Sequence, residues 1–562
     1  MLNYLLSMQN KLLFVGLLVS LLLSMNLEAQ VVGSNHTNYT EADTLRGSLR
    51  PERSNYDVTK YHLDLKVNPE ARSIAGSNAI HFKVLGSLPV MQLDLFENMQ
   101  IDSIVHQNAN LEYTRKYNAV FVNFEEALKE KTSDSIKFYY HGNPIVAKNA
   151  PWDGGFVWDT DEDGNPWVGV AVQGTGASLW YPNKDHQSDE PDAAQIDIAV
   201  PNGLMNVSNG RFLGKEELKD GYTKWKWAVK SPINNYNIMI NIGNYTHFSD
   251  KFKDLDLDYY VLPYNLDKAK EQFEEVQDMM ACFYEKMGPY PFEEDGFKLV
   301  ETPYLGMEHQ SAVAYGNEYM KGYLGNDLSG TGIGLLWDYI IIHESGHEWY
   351  GNSITAKDIA DMWIQEGFTS YTESIYVECR WGKEKAQEYL KGTRRGISNN
   401  NTIIGDYGIN SEGSGDMYFK GANLLNMIRS IYDDDELWWN TLRDYTSTYR
   451  HKTITTEDTE AFFDKATTVD LKPVFDQYLR HSALPILQLK QGDDHFQYRW
   501  KADVINFSMP VDVFIDEEEI RLDATSDWQR FETGEELDEV ILNDLDFYVR
   551  VEKIRNCCFG VN

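Results

Sequence analysis

From about Tyr56 to Tyr245 apolar and polar positions alternate with period two. In YHLDLKV, Tyr61, Leu63, Leu65 and Val67 fall on one face of an extended chain, and His62, Asp64 and Lys66 on the other. The same alternation returns in NAIHFKV, MQLDL, DSIKFYY, AQIDIAV and YTKWKWAV. Half-buried strands read this way, so an all-β domain of many strands is expected. From about Lys268 the period lengthens. KAKEQFEEVQDMMACFYEKM, GLLWDYIIIHESGHEWYG, MWIQEGFTSYTESIYVECRW and YFKGANLLNMIRSIY repeat apolar positions at helical spacing, which predicts helices. The segment FKLVETPYLGMEHQSAVAYG adds a short strand-rich insert. After about Pro485 alternation resumes in LQLKQG, FQYRWKADVI, VDVFID, EIRLDA and FYVRVEK, predicting a small β-sandwich.

A chain of 562 residues is too long for one ordinary core. The pattern divides it into a leader over 1–29, an N-terminal all-β domain over 30–247, a mostly helical domain over 248–484 and a C-terminal β-sandwich over 485–562. The expected class is multidomain α+β. Hydrophobic residues make up 42%, enough to build these cores and to exclude global disorder. The formal charge of −36 repels nucleic acid and anionic membranes and attracts cationic ligands, a peptide α-amine among them.

The N-terminus carries Lys11, the apolar run LLFVGLLVSLLLSM and then NLEAQ. This reads as a secretory signal peptide cleaved after Ala29, with Met8 an alternative start. No second long apolar segment follows, so the mature chain is expected to have no transmembrane segment and to be secreted or periplasmic. The four cysteines, Cys282, Cys379, Cys557 and Cys558, have neither the number of a disulfide framework nor the spacing of a zinc ribbon.

The candidate chemistry lies in HESGHEWYGNSITAKDIADMWIQEGF, from His343 to Phe368. On a helix His343 and His347 share a face and can offer two imidazoles to one ion, with Glu344 beside it as a base. Catalytic zinc takes three protein ligands and leaves a fourth position for water. Glu366 follows His347 after eighteen residues, in a second helical segment that can pack on the first. A third histidine at 353 would mark a different class of site, but that position is Ser353. His343, His347 and Glu366 are therefore the expected ligands of one zinc ion per chain; cobalt or manganese can substitute in such a site. Zinc lowers the pKa of bound water towards ~7 and polarises a scissile carbonyl, and Glu344 is placed to move the proton.

H-E-x-x-H, eighteen residues and then E resembles the aminopeptidase N family, peptidase family M1. HEWYGN and MWIQEGFTSY resemble two further motifs of that family. Gly306-Met307-Glu308-His309 resembles its exopeptidase motif G-x-M-E-N, and Tyr418-Phe419-Lys420-Gly421-Ala422 its Y-x-K-G-A segment. VQGTGASLWYPNKD resembles the strand that carries a substrate-facing glutamine. The resemblance runs from about Tyr56 to Leu489 and implies a three-domain form: an all-β saddle over 30–247, a thermolysin-like catalytic zinc domain over 248–484 and a small β-sandwich over 485–562. It further implies that Glu308, with Gln173, binds the free α-ammonium of a peptide substrate. Gly306 and Met307 would pair with the substrate backbone, and Tyr418 would donate to the oxyanion. His309 departs from the family's asparagine.

The implied activity is release of N-terminal amino acids from peptides with a free N-terminus. Two other readings fit the same motifs: a related zinc hydrolase with endopeptidase or epoxide hydrolase activity, and a non-catalytic binding protein. None of the ligands or the base is missing, which disfavours the last. The sequence does not set the oligomeric state.

Overall fold

The computed structural model describes residues 38–533 and 535–555. The expected leader over 1–29, and Cys557 and Cys558, lie outside the described residues. An eight-stranded sheet forms the frame of the first part, with Tyr56–Asn68 near its centre. That strand pairs parallel with Ala193–Pro201 and antiparallel with Ser73–Val84, so Leu63 faces both Ile196 and Asn78. Tyr61, Leu63, Leu65 and Val67 are buried, and the polar residues between them are half-exposed. A three-stranded sheet (Leu88–Asp94, Ala119–Leu128, Tyr113–Lys116) and a four-stranded sheet close the same apolar cluster.

A five-stranded sheet follows, ordered Thr246–Phe252, Leu255–Val261, Phe297–Glu301, Val313–Tyr315, Gly306–Met307. Its two faces serve two cores because successive side chains on a strand point oppositely. Leu299 and Val313 join the helical core, while Val300, Ala314 and Met307 join the N-terminal one. Gly306–Met307 is the edge strand, paired through Gly306–Tyr315 and Met307–Ala314.

We number five helices: α1 (Glu41–Gly47), α2 (Glu275–Lys286), α3 (Tyr339–Gly346), α4 (Trp363–Trp381) and α5 (Phe419–Tyr432). Two expected helices are shorter in the structure. The run from Lys268 splits into Leu266–Gln272 and α2. The run 334–351 contributes only α3. The Asp338 carboxylate sets its start by accepting from the backbone N–H groups of Ile340 and Ile341. After Gly346 the chain turns, and Gly351 takes φ +117°. His347 is the C-cap but keeps right-handed helical dihedrals, so it stays on the face of His343.

Helices α4 and α5 cross where Gly367 meets Gly421. Helices α2 and α4 are joined by a Cys282–Cys379 disulfide, which the cysteine spacing did not indicate. The last strands form a four-stranded sheet (Gln529–Glu532, His495–Lys501, Ile486–Gln491, Arg550–Ile554) and a three-stranded one (Glu518–Ala524, Met509–Ile515, Ile541–Leu542). Their buried Leu487, Val511 and Val513 belong to the same apolar cluster as the helices.

Candidate active site

Helix α3 presents His343, and the turn after it His347. Their Nε2 atoms lie 3.9 and 3.3 Å from Glu366 Oε2, on the first turn of α4. All three side chains are buried. The outer ring nitrogens are occupied. His343 Nδ1 donates to Glu373 Oε1 at 2.7 Å, and Glu373 Oε2 accepts from the Tyr389 hydroxyl at 2.7 Å. His347 Nδ1 donates to the Tyr350 carbonyl at 2.9 Å, which also accepts from Thr369 Oγ1 at 3.1 Å. A carbonyl only accepts, so His347 carries a proton on Nδ1 and turns Nε2 towards Glu366.

Glu366 Oε1 accepts from Gln173 Nε2 at 3.0 Å, whereas buried Oε2 has no hydrogen-bond partner. An orphaned carboxylate oxygen facing two imidazole nitrogens is a donor set that fits a divalent ion. The charges agree. Burial opposes a charged His347, but Glu366 and Glu308 prevail and push its pKa up to about 10, so the buried carboxylates favour positive charge at this point. Burial also opposes charge on Glu366, yet His347 and His343 hold its carboxyl below the ordinary value.

Glu344 and Glu308 complete the cluster. Ligand-capable atoms of Glu308, Glu344 and His347 lie within 4.8 Å of one another. Burial raises the Glu344 carboxyl, and it pushes Glu308 up to about 7. Glu308 Oε1 accepts from Tyr236 at 2.9 Å, and Tyr236 accepts from Gln365 Nε2 at 3.2 Å. The Glu308 carbonyl accepts from Asn352 Nδ2 at 2.7 Å, so the edge strand is tied to the turn after α3. Gly306 fits because nothing larger does. A Cβ there would stand 2.8 Å from Ile340 Cγ2 and 3.1 Å from Glu344 Oε1. Met307 is buried in the N-terminal core. His309 is buried with neither ring nitrogen hydrogen-bonded, and burial lowers its pKa to about 3, so the ring is neutral.

The Tyr418 ring lies over that of His343, with centroids 6.3 Å apart and planes at 21°. Burial, reinforced by Glu366 and Glu412, raises its phenol well above the ordinary value, which keeps it a donor. The structure thus brings together every residue singled out in the sequence: His343, Glu344, His347, Glu366, Glu308, Gln173, Gly306, Met307 and Tyr418. It adds Tyr236, Asn352, Thr369 and Glu373. Glu373 lies seven residues after Glu366 on α4, two helical turns along one face, and that spacing could have found it. Tyr236 sits on a short 3-10 turn far from the motif, with no such signal.

Residues 264–478 match the model of the peptidase family M1 domain. That segment is a peptidase family M1 domain, the domain of the aminopeptidase N family, and the rest of the chain lies outside the match. It is 23% identical over 478 residues to aminopeptidase N of Lactobacillus helveticus, covering 77% of this chain and 52% of that protein. It is 20% identical over 336 residues to leucyl aminopeptidase of Saccharolobus solfataricus, covering 57% and 42%. The chain spans about half the length of the curated relatives it matches. A solved M1 zinc metallopeptidase of Deinococcus radiodurans, a variant with a Tyr-Ser-Ala substrate bound, shares the fold. Its TM-score is 0.63 at 17% identity, covering 77% of this chain and 97% of that chain.

Proposed function

We propose that the protein is a zinc-dependent aminopeptidase that removes the first residue of peptides with a free N-terminus. His343, His347 and Glu366 hold one zinc ion per chain. The ion, when bound, supplies Lewis-acid activation of water and of the scissile carbonyl. Glu344 takes the proton of the attacking water and delivers it to the leaving amine. The Tyr418 hydroxyl donates to the oxyanion formed on the substrate carbonyl. The edge strand Gly306–Met307 receives the substrate backbone as an added strand.

The observation that carries this reading is the position of Glu308. Its carboxylate is buried within 4.8 Å of donor atoms of Glu344 and His347. A cation bound there lies one residue from the reacting bond, and the α-ammonium of a peptide is such a cation. Gln173 holds Glu366 at the same end of the cleft.

Export through the N-terminal leader, to a secreted or periplasmic location, belongs to the same proposal. The Cys282–Cys379 disulfide supports it, because such bonds persist in oxidising compartments.

The test is hydrolysis of aminoacyl-anilides beside their N-acetylated counterparts by the zinc-loaded protein. The reading requires turnover of the free-amine series alone. Equal turnover of both would remove Glu308 from amine binding and make the protein an endopeptidase.

A further inference from the structure

The carboxylates of the site have tasks, with one exception. Glu308 meets Tyr236, Glu344 stands beside the reacting centre, Glu366 faces the two histidines and Glu373 holds His343. Glu412 lies on the loop before Tyr418, and among the described residues its carboxylate has no hydrogen bond and no ion pair within 4 Å. It is half-buried, so part of it faces open space.

Its place is set by Gly174. A Cβ on Gly174 would stand 2.9 Å from Glu412 Oε1, so the missing side chain leaves room for the carboxylate. Gly174 takes φ +71°, which also favours glycine. The preceding residue is Gln173, whose amide donates to Glu366. Glu412 is therefore one residue from a group that touches the catalytic cluster, on the wall formed with the N-terminal domain. The cation whose charge acts on Glu412, Arg46 on α1, is already committed. It donates to the Gly174 and Thr175 carbonyls and pairs with Asp185 at 3.7 Å.

Resting on the aminopeptidase reading, we propose that Glu412 selects the side chain of the substrate's first residue, and that the preferred residue is cationic, arginine or lysine. The α-ammonium goes to Glu308, and a second positive charge on the same residue meets Glu412. A guanidinium or ammonium supplies the partner that the protein withholds, and a charge-assisted bond in a partly closed site discriminates strongly against an uncharged isostere.

The experiment compares kcat/KM for arginyl-, citrullyl- and leucyl-anilide in the wild type and in Glu412→Gln. Citrulline has the shape of arginine without its charge. The wild type should favour arginyl over citrullyl by about 10- to 100-fold, a ratio that falls towards one in Glu412→Gln while leucyl-anilide changes little. Glu412→Asp, which keeps the charge, should retain part of the ratio, and melting curves of both variants should match the wild type. An arginyl/citrullyl ratio that is the same in wild type and Glu412→Gln overturns the assignment. Equal loss on all three substrates also overturns it, by making Glu412 a second anchor for the α-amine. Wild-type inactivity on all three would overturn the aminopeptidase reading itself.

Discussion

Gly367 and Gly421 touch where α4 and α5 cross: a Cβ on Gly421 would lie 2.9 Å from Gly367 Cα. Gly367 follows Glu366, and Gly421 lies three residues after Tyr418. The same contact therefore fixes the distance between the carboxylate that faces the histidines and the phenol above them. Gly421→Ala improves helix propensity by about 1 kcal/mol but overpacks the crossing at a cost of about 1–3 kcal/mol. The expected result is a stability loss of up to about 2 kcal/mol with a larger proportional fall in kcat. Denaturant unfolding and steady-state kinetics on one preparation measure both. Full kcat in Gly421→Ala would mean that the crossing does not position Tyr418.

Tyr418→Phe separates chemistry from folding. The hydroxyl has no hydrogen-bond partner among the described residues, so its loss orphans nothing, and stability should stay within about 0.5 kcal/mol. A preorganised oxyanion donor is worth roughly 10²–10³ in kcat, and KM should change little because the donor acts in the transition state. Zinc content per chain should be unaltered. Unchanged kcat would exclude Tyr418 as the donor.

These relationships differ in how far they could be read from the chain. The alternation around Tyr61–Val67 was legible because a half-buried strand imposes period two on its own residues. The His343, His347 and Glu366 set was legible because two ligands share a helix face and the third follows at a distinctive spacing. Tyr236 was not legible, because its contact to Glu308 is made across a domain wall by residues 72 apart. The start of α3 was misplaced for a local reason. The apolar run before it reads as helix, yet the Asp338 carboxylate ends the preceding turn and begins the helix there. The Cys282–Cys379 bond spans 97 residues, and pairing at that range depends on the tertiary fold.

Asp338 gives a pH test that is independent of the ligands. Burial raises its carboxyl to about 6, against the stabilising bonds from Gln272 and Tyr315. A raised carboxyl means that the folded state holds the proton after the unfolded chain has lost it. This group's contribution is therefore fully present below about pH 4 and is lost as pH rises through about 6. Asp338→Asn keeps the cap but does not titrate. Its stability profile should be flatter than the wild type's between those limits, by chemical denaturation at fixed ionic strength. Identical slopes in the two proteins would show that Asp338 is ionised throughout.

Glu373 is the strongest test of the metal site that leaves the expected ligands untouched. Its Oε1 accepts from His343 Nδ1 and its Oε2 from Tyr389, so one carboxylate both orients the imidazole and raises its basicity towards the side that faces Glu366. Glu373→Gln preserves the shape but weakens the acceptor. Loss of such an outer partner costs about 10- to 100-fold in metal affinity. Zinc competition against a chelator should therefore give a weaker dissociation constant by about that factor, while saturating zinc restores most of kcat. The Tyr339 hydroxyl, 3.2 Å from the same His343 nitrogen, remains in Glu373→Gln and limits the loss. Tyr339→Phe combined with Glu373→Gln should then exceed the single change, and an affinity equal to the wild type's in the double variant would show that His343 needs no outer partner to bind the ion.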